Sequence, residues 1–236
     1  MIENCHFLQK LAVDNFTLDS NEIEQICQNG ETLQILSLEG CNIDFCQRTE
    51  LVEKLFRKCR QLTELNIRKG GIFSNSILLD QHVGALVENL TPGILKLNLA
   101  CQEVTDEHVH TLVCECNKIT ELDLSFTEIT NDSVESIVKH LNCLENLNVY
   151  YTNIDFTTLL KLKSIQTLKS LRFGRSFGSK EDTETTKNMK LQLPHISINE
   201  EYLHIASSTK ELSRSIDPDW FWEIRAKQQN LFPKVY

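Results

Sequence analysis

The chain of 236 residues repeats one pattern of apolar positions, in which an apolar residue is followed by two variable residues, an apolar residue, one variable residue and a third apolar residue. Eight segments carry it, mostly about 25 residues apart, and they begin at Leu8, Leu33, Leu62, Ile94, Ile119, Leu144, Leu168 and Leu193. Repetition at this period is typical of leucine-rich repeats, each a strand plus a helix. The pattern therefore predicts an α/β leucine-rich-repeat solenoid, a horseshoe with parallel strands on the concave face and helices on the convex face.

The fifth repeat shows both elements. Ile119 to Leu124 ends in the alternation of a half-buried strand, and Asn131 or Asp132 offers a helix N-cap. An apolar stripe with helical spacing follows at Val134, Ile137, Val138 and Leu141. The fourth repeat copies this plan, with Thr105 and Asp106 as the cap and Val109, Leu112 and Val113 as the stripe. Each repeat is therefore expected to form one coil.

Two intervals between repeats are longer than the rest, from Leu33 to Leu62 and from Leu62 to Ile94. The second contains Arg68-Lys69-Gly70-Gly71, whose glycines indicate a turn or bulge. The extra residues are expected to form an insertion at the rim of the concave face, either as a plain surface loop or as part of a binding surface.

Two regions are predicted. Residues 1–198 form a leucine-rich-repeat solenoid of about eight repeats, and residues 199–236 form a C-terminal tail that packs back on it. In the tail, Trp220, Trp222 and Ile224 alternate with Glu223 and Arg225, which is more apolar surface than a disordered segment usually carries. The residues alone leave two alternatives: a cap over the last coil, or a segment that crosses the concave face.

Composition limits the classes of partner. No run of 18 apolar residues and no basic region followed by an apolar stretch at Met1 is present, so neither a membrane span nor a secretion signal is expected. Nine cysteines, an odd number, are read as reduced thiols, several of them filling the junctions between coils, at Cys41, Cys59 and Cys116. The predicted location is nucleus and cytosol.

Charge disfavours nucleic acid as a partner, since the formal net charge is −9 and binding to phosphate backbones needs a basic face. The stretch 161–190 is the exception, with eight Lys and Arg against three Asp and Glu, or 8 − 3 = +5. Such a basic region on an acidic body favours an acidic or phosphorylated protein partner.

Neither a metal site nor catalysis is predicted, and no cofactor is expected. His108, His110, Cys114 and Cys116 lie on one predicted helix, from which four ligands cannot converge. There is no phosphate-binding glycine loop, nucleophile elbow or HExxH motif, and nothing positions a base beside Cys27, Cys59 or Cys143. The chain is therefore predicted not to be an enzyme.

The most informative candidate interface lies at the strand ends of the late repeats. Phe126, Tyr150 and Tyr151 are expected to cluster there, with Asn148 in the outward-facing row, and Arg172 and Arg175 follow one repeat later. Aromatic residues beside arginines commonly anchor protein interfaces, and arginine can grip carboxylate or phosphate with two hydrogen bonds. The alternative is that Phe126 and one tyrosine only pack the turn, and that the arginines form solvated charge pairs.

The chain resembles the F-box proteins that carry cysteine-containing leucine-rich repeats. The resemblance rests on the repeat pattern with a Cys before the next repeat, on Leu33-Gln-Ile-Leu-Ser-Leu-Glu-Gly40, and on the order of the closing elements. Those elements are Leu168-Lys-Ser-Leu171, Leu193-Pro-His-Ile-Ser-Ile-Asn199, Ile205-Ala206 and Trp222-Glu-Ile-Arg225. Together they span nearly the whole sequence.

This resemblance implies the substrate-recognition part of an SCF-type cullin-RING E3 ubiquitin ligase, which recruits phosphorylated proteins for ubiquitination and degradation in the cell cycle. It implies a tail that folds back along the concave face and possible help from a cyclin-dependent-kinase accessory subunit. The implied partner-binding residues are those of the late repeats, around Tyr150, Tyr151, Arg172 and Arg175, together with Trp222.

The sequence departs from the family in one respect, since it does not show the F-box, the helical segment that docks the cullin adaptor. Only seven residues precede Leu8 and no Leu-Pro-x-Glu opening is present, so adaptor binding is expected only if an F-box lies outside this sequence. The alternative function is a free-standing leucine-rich-repeat scaffold or inhibitor that is not linked to ubiquitin.

Overall fold

The computed structural model describes residues 7–43, 49–69, 78, 80–174 and 180–198. In these residues eight parallel strands form one open sheet in the order of the repeats. Two further short strands form a separate pair, which is described below. The strands are β1 (Lys10–Ala12), β3 (Ile35–Ser37), β5 (Glu64–Asn66), β6 (Lys96–Asn98), β7 (Glu121–Asp123), β8 (Asn146–Asn148), β9 (Ser170–Arg172) and β10 (Ser197–Ile198). The predicted leucine-rich-repeat solenoid is confirmed.

The central leucine of each strand from β1 to β9 in this sheet pairs with that of the next, and Ile198 of β10 pairs with Leu171. Leu97 is paired with Leu122 and Leu122 with Leu147, and all three are fully buried. Parallel pairing without a register shift places every such leucine on the same side, facing the helices. The other apolar positions of the pattern join this row in one continuous core that extends from Leu18 to Ile198.

Helices follow most strands and cover the side of the sheet that faces the main core. They are α1 (Ser20–Gln28), α2 (Thr49–Lys58), α3 (Asp80–Asn89), α4 (Asp106–Glu115), α5 (Asn131–His140), the short α6 (Phe156–Leu159), which continues as a 3₁₀-helix (Leu160–Ser164), and α7 (Lys180–Gln192). Two further short strands, β2 (Thr17–Leu18) and β4 (Asn42–Ile43), pair with each other ahead of α1 and near α2. The stripes predicted for α4 and α5 are buried, apart from the half-buried Val138.

Polar side chains fix where the helices begin. Asp19 caps α1 by accepting hydrogen bonds from the backbone N–H groups of Asn21 and Glu22, at 2.8 and 2.9 Å. Asp106, in the first turn of α4, instead reaches the next coil, where it accepts from Thr130 N (2.8 Å), Thr130 Oγ1 (2.7 Å), Ser133 N (3.1 Å) and Ser133 Oγ. One carboxylate therefore ties the starts of two neighbouring helices together.

A left-handed residue follows the strand in most coils. Positive φ angles occur at Asn15 (62°), Gly40 (69°), Cys101 (63°), Phe126 (58°) and Tyr151 (59°). The N–H of each donates to a carbonyl of the next coil, as Phe126 does to Tyr150 (2.9 Å) and Tyr151 to Gly174 (2.7 Å). The hydrogen bonds between neighbouring coils thus continue through the turn after the strand. They stabilise a backbone conformation that non-glycine residues rarely adopt.

The cysteines predicted to fill junctions do so. Cys41, Cys59 and Cys116 are at most 5% exposed, and all seven cysteines in the described part of the chain are free thiols. Within that same part, no helix has the length and apolar character needed to cross a membrane.

Candidate protein-binding face

The side of the sheet that faces away from the helices, which we call the strand face, is built from three rows of side chains. The first row places Lys96 between two carboxylates of neighbouring strands, with Nζ 3.7 Å from Glu64 Oε1 and 3.2 Å from Glu121 Oε1. Parallel pairing in register places Glu64, Lys96 and Glu121 side by side on successive strands, so charges of opposite sign alternate along this row.

The second row, at the last residue of each strand, is almost completely buried although it is polar. Asn66, Asn98, Asp123 and Asn148 are at most 3% exposed. Each accepts the backbone N–H of the residue two positions later, as Asn98 does from Ala100 (3.0 Å) and Asn148 from Tyr150 (3.1 Å). These side chains therefore shape the turn after the strand, and they are supports of the face rather than freely accessible contacts.

Asp123 is the centre of this support. Its Oδ1 accepts from Ser125 N (2.9 Å) and Ser125 Oγ (2.6 Å), and its Oδ2 accepts from Asn148 Nδ2 (2.9 Å). Because Asn148 in turn accepts from Tyr150 N, a continuous chain of hydrogen bonds runs from the fifth coil to the aromatic turn of the sixth. Three donors on a buried carboxylate satisfy the requirement that buried charge be hydrogen-bonded.

The third row and the left-handed residues after it form a separate aromatic cluster of Ala100, Cys101, Phe126, Tyr150 and Tyr151. Phe126 stacks on Tyr151 with ring centroids 5.2 Å apart at 17°, and meets Tyr150 edge to face at 5.7 Å and 70°. Both arrangements are ones that aromatic pairs prefer. The cluster is distinct from the main core and lies at one edge of the strand face.

Arg172, the last residue of β9, extends the cluster by one coil. Its guanidinium carbon lies 5.2 Å from the centroid of the Tyr150 ring, within cation–π range. A half-buried arginine over the Tyr150 ring combines apolar contact area with a planar, permanently charged donor. This combination suits a protein partner that offers an acidic group next to an apolar one.

The structure brings together five of the seven residues predicted for this site. Phe126, Tyr150 and Tyr151 pack against one another, Arg172 lies over the Tyr150 ring, and Asn148 holds the turn through Tyr150 N. Arg175 and Trp222 lie outside the described residues, as do positions 70–77 of the long insertion and the tail.

Phe126 and Tyr150 are only 7% and 6% exposed, so these two rings pack the turn, and their part in binding stays a prediction. Sequence reasoning missed Asp123 and Cys101. Both could have been found from the register, since Asp123 is the strand neighbour of Asn148, and Cys101 stands one repeat before Phe126.

Four of the residues weighed for metal binding or catalysis, namely His108, Cys116, Cys27 and Cys59, lie in structural surroundings. His108 is buried and accepts the N–H of Thr105 at the start of α4 (3.2 Å), and Cys116 is fully buried. Burial raises the pKa of Cys27 to about 11 and of Cys59 to about 12, which keeps both thiols protonated at neutral pH. Neither is an activated nucleophile.

Comparison with known protein families identifies this architecture. The model of the SKP2 LRR domain, a leucine-rich-repeat domain, matches residues 1–229. The chain belongs to this family. Members of leucine-rich-repeat families are typically binding modules without catalytic activity, which agrees with the prediction that the chain is not an enzyme.

Individual proteins add little to this assignment. No curated protein sequence matches the chain. Among solved structures, the chain is similar to Leiomodin-1 Actin-Binding Site 2, with a TM-score of 0.38 and 19% identity over 79% of this chain and 98% of that one. This is a weak likeness.

Proposed function

We propose that this SKP2-type repeat domain is the substrate-recognition part of an SCF-type cullin-RING E3 ubiquitin ligase. It recruits phosphorylated proteins for ubiquitination and degradation, and it works in the nucleus and cytosol. The observation that carries the proposal is the family match over residues 1–229, because it covers both the repeats and most of the tail. In an SCF ligase, the cullin adaptor would be engaged by an F-box joined to this domain.

The substrate-binding surface in this proposal is the aromatic cluster with Arg172. A rigid aromatic platform loses little conformational entropy on binding, and a guanidinium can bind a phosphate through two charge-assisted hydrogen bonds. The basic stretch 161–190, at +5, adds long-range attraction for a phosphorylated segment. Arg175 and Trp222 belong to the same proposed surface.

The tail, residues 199–236, is proposed to run back along the strand face, with Trp222 beside the aromatic cluster. The tail would then form one wall of the substrate site, and a cyclin-dependent-kinase accessory subunit could supply another. Truncation after residue 198 tests this arrangement. It is expected to weaken substrate binding while leaving the cooperative unfolding of the repeats in place.

The direct test is titration of a phosphopeptide library against the wild-type chain and the Arg172→Ala variant, at two salt concentrations. Loss of a hydrogen-bonded charge contact is expected to weaken the best ligand roughly 10- to 100-fold. Lys169→Ala is the matched control, since it removes one positive charge next to the same strand. Lys169 is exposed and pairs with Glu145 at 2.7 Å, away from the cluster.

Two outcomes would contradict this site. One is equal affinity of wild type and Arg172→Ala for every phosphopeptide, and the other is an affinity that does not weaken as salt rises. The link to ubiquitin needs a separate assay. The chain is joined after an F-box and the half-life of the bound protein is measured in cells, with the unfused chain as control. Unchanged half-lives in the presence of binding would favour a free-standing scaffold or inhibitor.

A further inference from the structure

The aromatic cluster has an arginine on each side. Arg68 lies two residues after β5, and its guanidinium donates a hydrogen bond to the thiol of Cys101, which belongs to the cluster. Arg172 ends β9, and its guanidinium lies over the Tyr150 ring. Because β6, β7 and β8 stand between β5 and β9 in the sheet, the two arginines bracket the cluster from opposite sides.

Arg68 is held in place by its backbone, and its side chain turns towards the cluster. Arg68 N donates to Asn66 Oδ1 (3.1 Å), and Arg68 O accepts from Gly40 N (2.9 Å). Glu39, the equivalent residue one coil earlier, instead accepts a hydrogen bond from Asn66 Nδ2 (2.8 Å). Within the described part of the chain, no carboxylate forms a salt bridge with Arg68. A guanidinium has five N–H donors, so this half-buried side chain can bind an anion and keep its contact with Cys101.

The surface between the two arginines does not oppose a negatively charged ligand. The third row consists there of uncharged residues, one on each intervening coil, namely Ala100, Ser125 and Tyr150. In the second row, the carboxylate of Asp123 is 2% exposed and accepts three hydrogen bonds, so its charge is satisfied inside the protein. In the first row, the carboxylates of the neighbouring strands are paired with Lys96. An extended chain that crosses these coils therefore meets a cation, an aromatic surface and a second cation, in that order.

The spacing of the strands limits the distance between the two guanidinium groups. They contact the coils of β6 and β8, two strand steps apart, and they are carried by the coils of β5 and β9, four steps apart. With about 4.8 Å per step, the two groups are between about 10 and 19 Å apart. An extended peptide advances about 3.3 Å per residue and directs every second side chain to the same side. A separation of four residues, about 13 Å, is the only even one that fits.

These distances define a ligand pattern for the site of the proposed function, on which this inference rests. We propose that the strand face binds an extended segment with a phosphorylated residue at Arg172 and an acidic residue four positions away at Arg68. The residue midway between them is apolar and packs on the aromatic cluster. Arg68 is thus a specificity-determining residue, because its charge-assisted hydrogen bond selects phosphorylated segments by the position of a second negative charge.

The test begins with the phosphopeptide that the wild-type chain selects from the library. All acidic residues other than the phosphorylated one are replaced by their amides, and one Glu is then placed two to eight residues away on either side. Binding is measured by fluorescence anisotropy against the same peptides with Gln in place of Glu. Because a hydrogen bond between charged groups is gained, Glu four residues away should tighten binding roughly 10-fold on one side, whereas Glu at two or eight residues should change it by less than about twofold.

Variants of the chain assign the effect to individual residues. Arg68→Gln is expected to make the Glu and Gln peptides bind equally, while the requirement for phosphate remains. Arg172→Ala is expected to lose the phosphate contribution but to keep the difference between Glu and Gln. Arg60→Gln is the matched control and keeps both, because this exposed arginine precedes β5 and donates from Nε to the carbonyl oxygen of Arg57 (2.9 Å).

The outcomes separate this inference from the proposed function. If phosphopeptide binding depends on Arg172 but Glu four residues away brings no gain, the proposed function stands and the ligand pattern is wrong. Survival of the gain in Arg68→Gln would also overturn the pattern. If no phosphopeptide binds the wild-type chain, the proposed function fails and this inference fails with it. The comparison of Glu and Gln peptides uses the wild-type chain alone, so it decides the pattern even if Arg68→Gln does not fold.

Discussion

Two stacks of side chains cross the coils of this protein, and they follow different rules. In the main core, Leu97, Leu122 and Leu147 occupy equivalent positions with the same residue type and the same complete burial. In the aromatic cluster, the equivalent positions after the strands hold Cys101, Phe126 and Tyr151. The repeat dictates the first stack, whereas the second departs from it.

The backbone conformation after the strands shows why the difference between the two stacks matters. The position after each strand needs a left-handed conformation, which Gly40 supplies without steric cost and Asn15 at a modest one. Phe126 and Tyr151 adopt the same conformation at a cost of roughly 1–2 kcal/mol each. A solenoid has no structural need for aromatic rings there. Strain of this kind at neighbouring positions is typical of binding sites.

The comparison predicts its largest stability effect in the main core. Leu122→Ala leaves a cavity between two coils, and we expect the free energy of unfolding to fall by about 2–5 kcal/mol. The measurement is urea unfolding followed by circular dichroism. A loss below about 1 kcal/mol would show that neighbouring coils collapse into the space, and would contradict a tightly packed stack.

The next effect is expected where a side chain connects the two helices α4 and α5. Asp106→Ala removes the acceptor of four hydrogen bonds from Thr130 and Ser133, and it should lower the free energy of unfolding by about 2 kcal/mol. Asp155→Ala is the control, since that exposed carboxylate accepts one hydrogen bond from Asn131 (2.9 Å) and should matter much less. Equal losses in urea unfolding would refute the special role of Asp106.

Alkaline pH should weaken the main core through its thiols. Burial raises the pKa of Cys59 from 9.0 to about 12, so the folded chain keeps a proton that the unfolded chain releases above pH 9. Stability is therefore complete below pH 9 and falls between pH 9 and about 12, by about 1 kcal/mol at pH 10 for this thiol. Cys59→Ala should show a shallower decline in urea unfolding between pH 8 and 10. Identical slopes for variant and wild type would contradict this account.

Much of the fold follows from the apolar pattern, because the leucine in each strand can be buried only on the side of the sheet that the helices cover. The register from β1 to β9, the buried stripes of α4 and α5 and the junction cysteines were predictable in this way. The last repeat was not, since the pattern aligns Ile196 with Leu171 but the structure pairs Ile198 with it. The neighbourhood of Phe126, Tyr150 and Tyr151 was also predictable, since equivalent positions in successive coils must meet.

Other features depend on three-dimensional details that the pattern does not contain. The burial of Asn66, Asn98, Asp123 and Asn148 follows from turns that fold back over the ends of the strands, and the pattern marks these positions only as polar. The 3₁₀ continuation of α6 and the meeting of Cys114 with His140 depend on how closely neighbouring coils pack. These features need coordinates.

The smallest effect on stability, and the sharpest on function, is expected at Tyr151. With φ at 59°, Tyr151→Gly relieves backbone strain while removing the ring that stacks on Phe126, a pair worth about 0.5–1.5 kcal/mol. The two changes oppose each other, so the free energy of unfolding should stay within about 1 kcal/mol of wild type. Tyr151→Ala, which loses the ring without relieving the strain, should be the less stable of the two variants.

Binding should respond in the opposite way, with both variants losing roughly 10-fold or more in affinity for the phosphopeptide selected by the wild-type chain. If Tyr151→Gly binds as well as wild type, the cluster only packs the turn and the strain has no functional reason. If Tyr151→Gly is instead strongly destabilised, the aromatic stack belongs to the structural core, and the distinction between the two stacks fails.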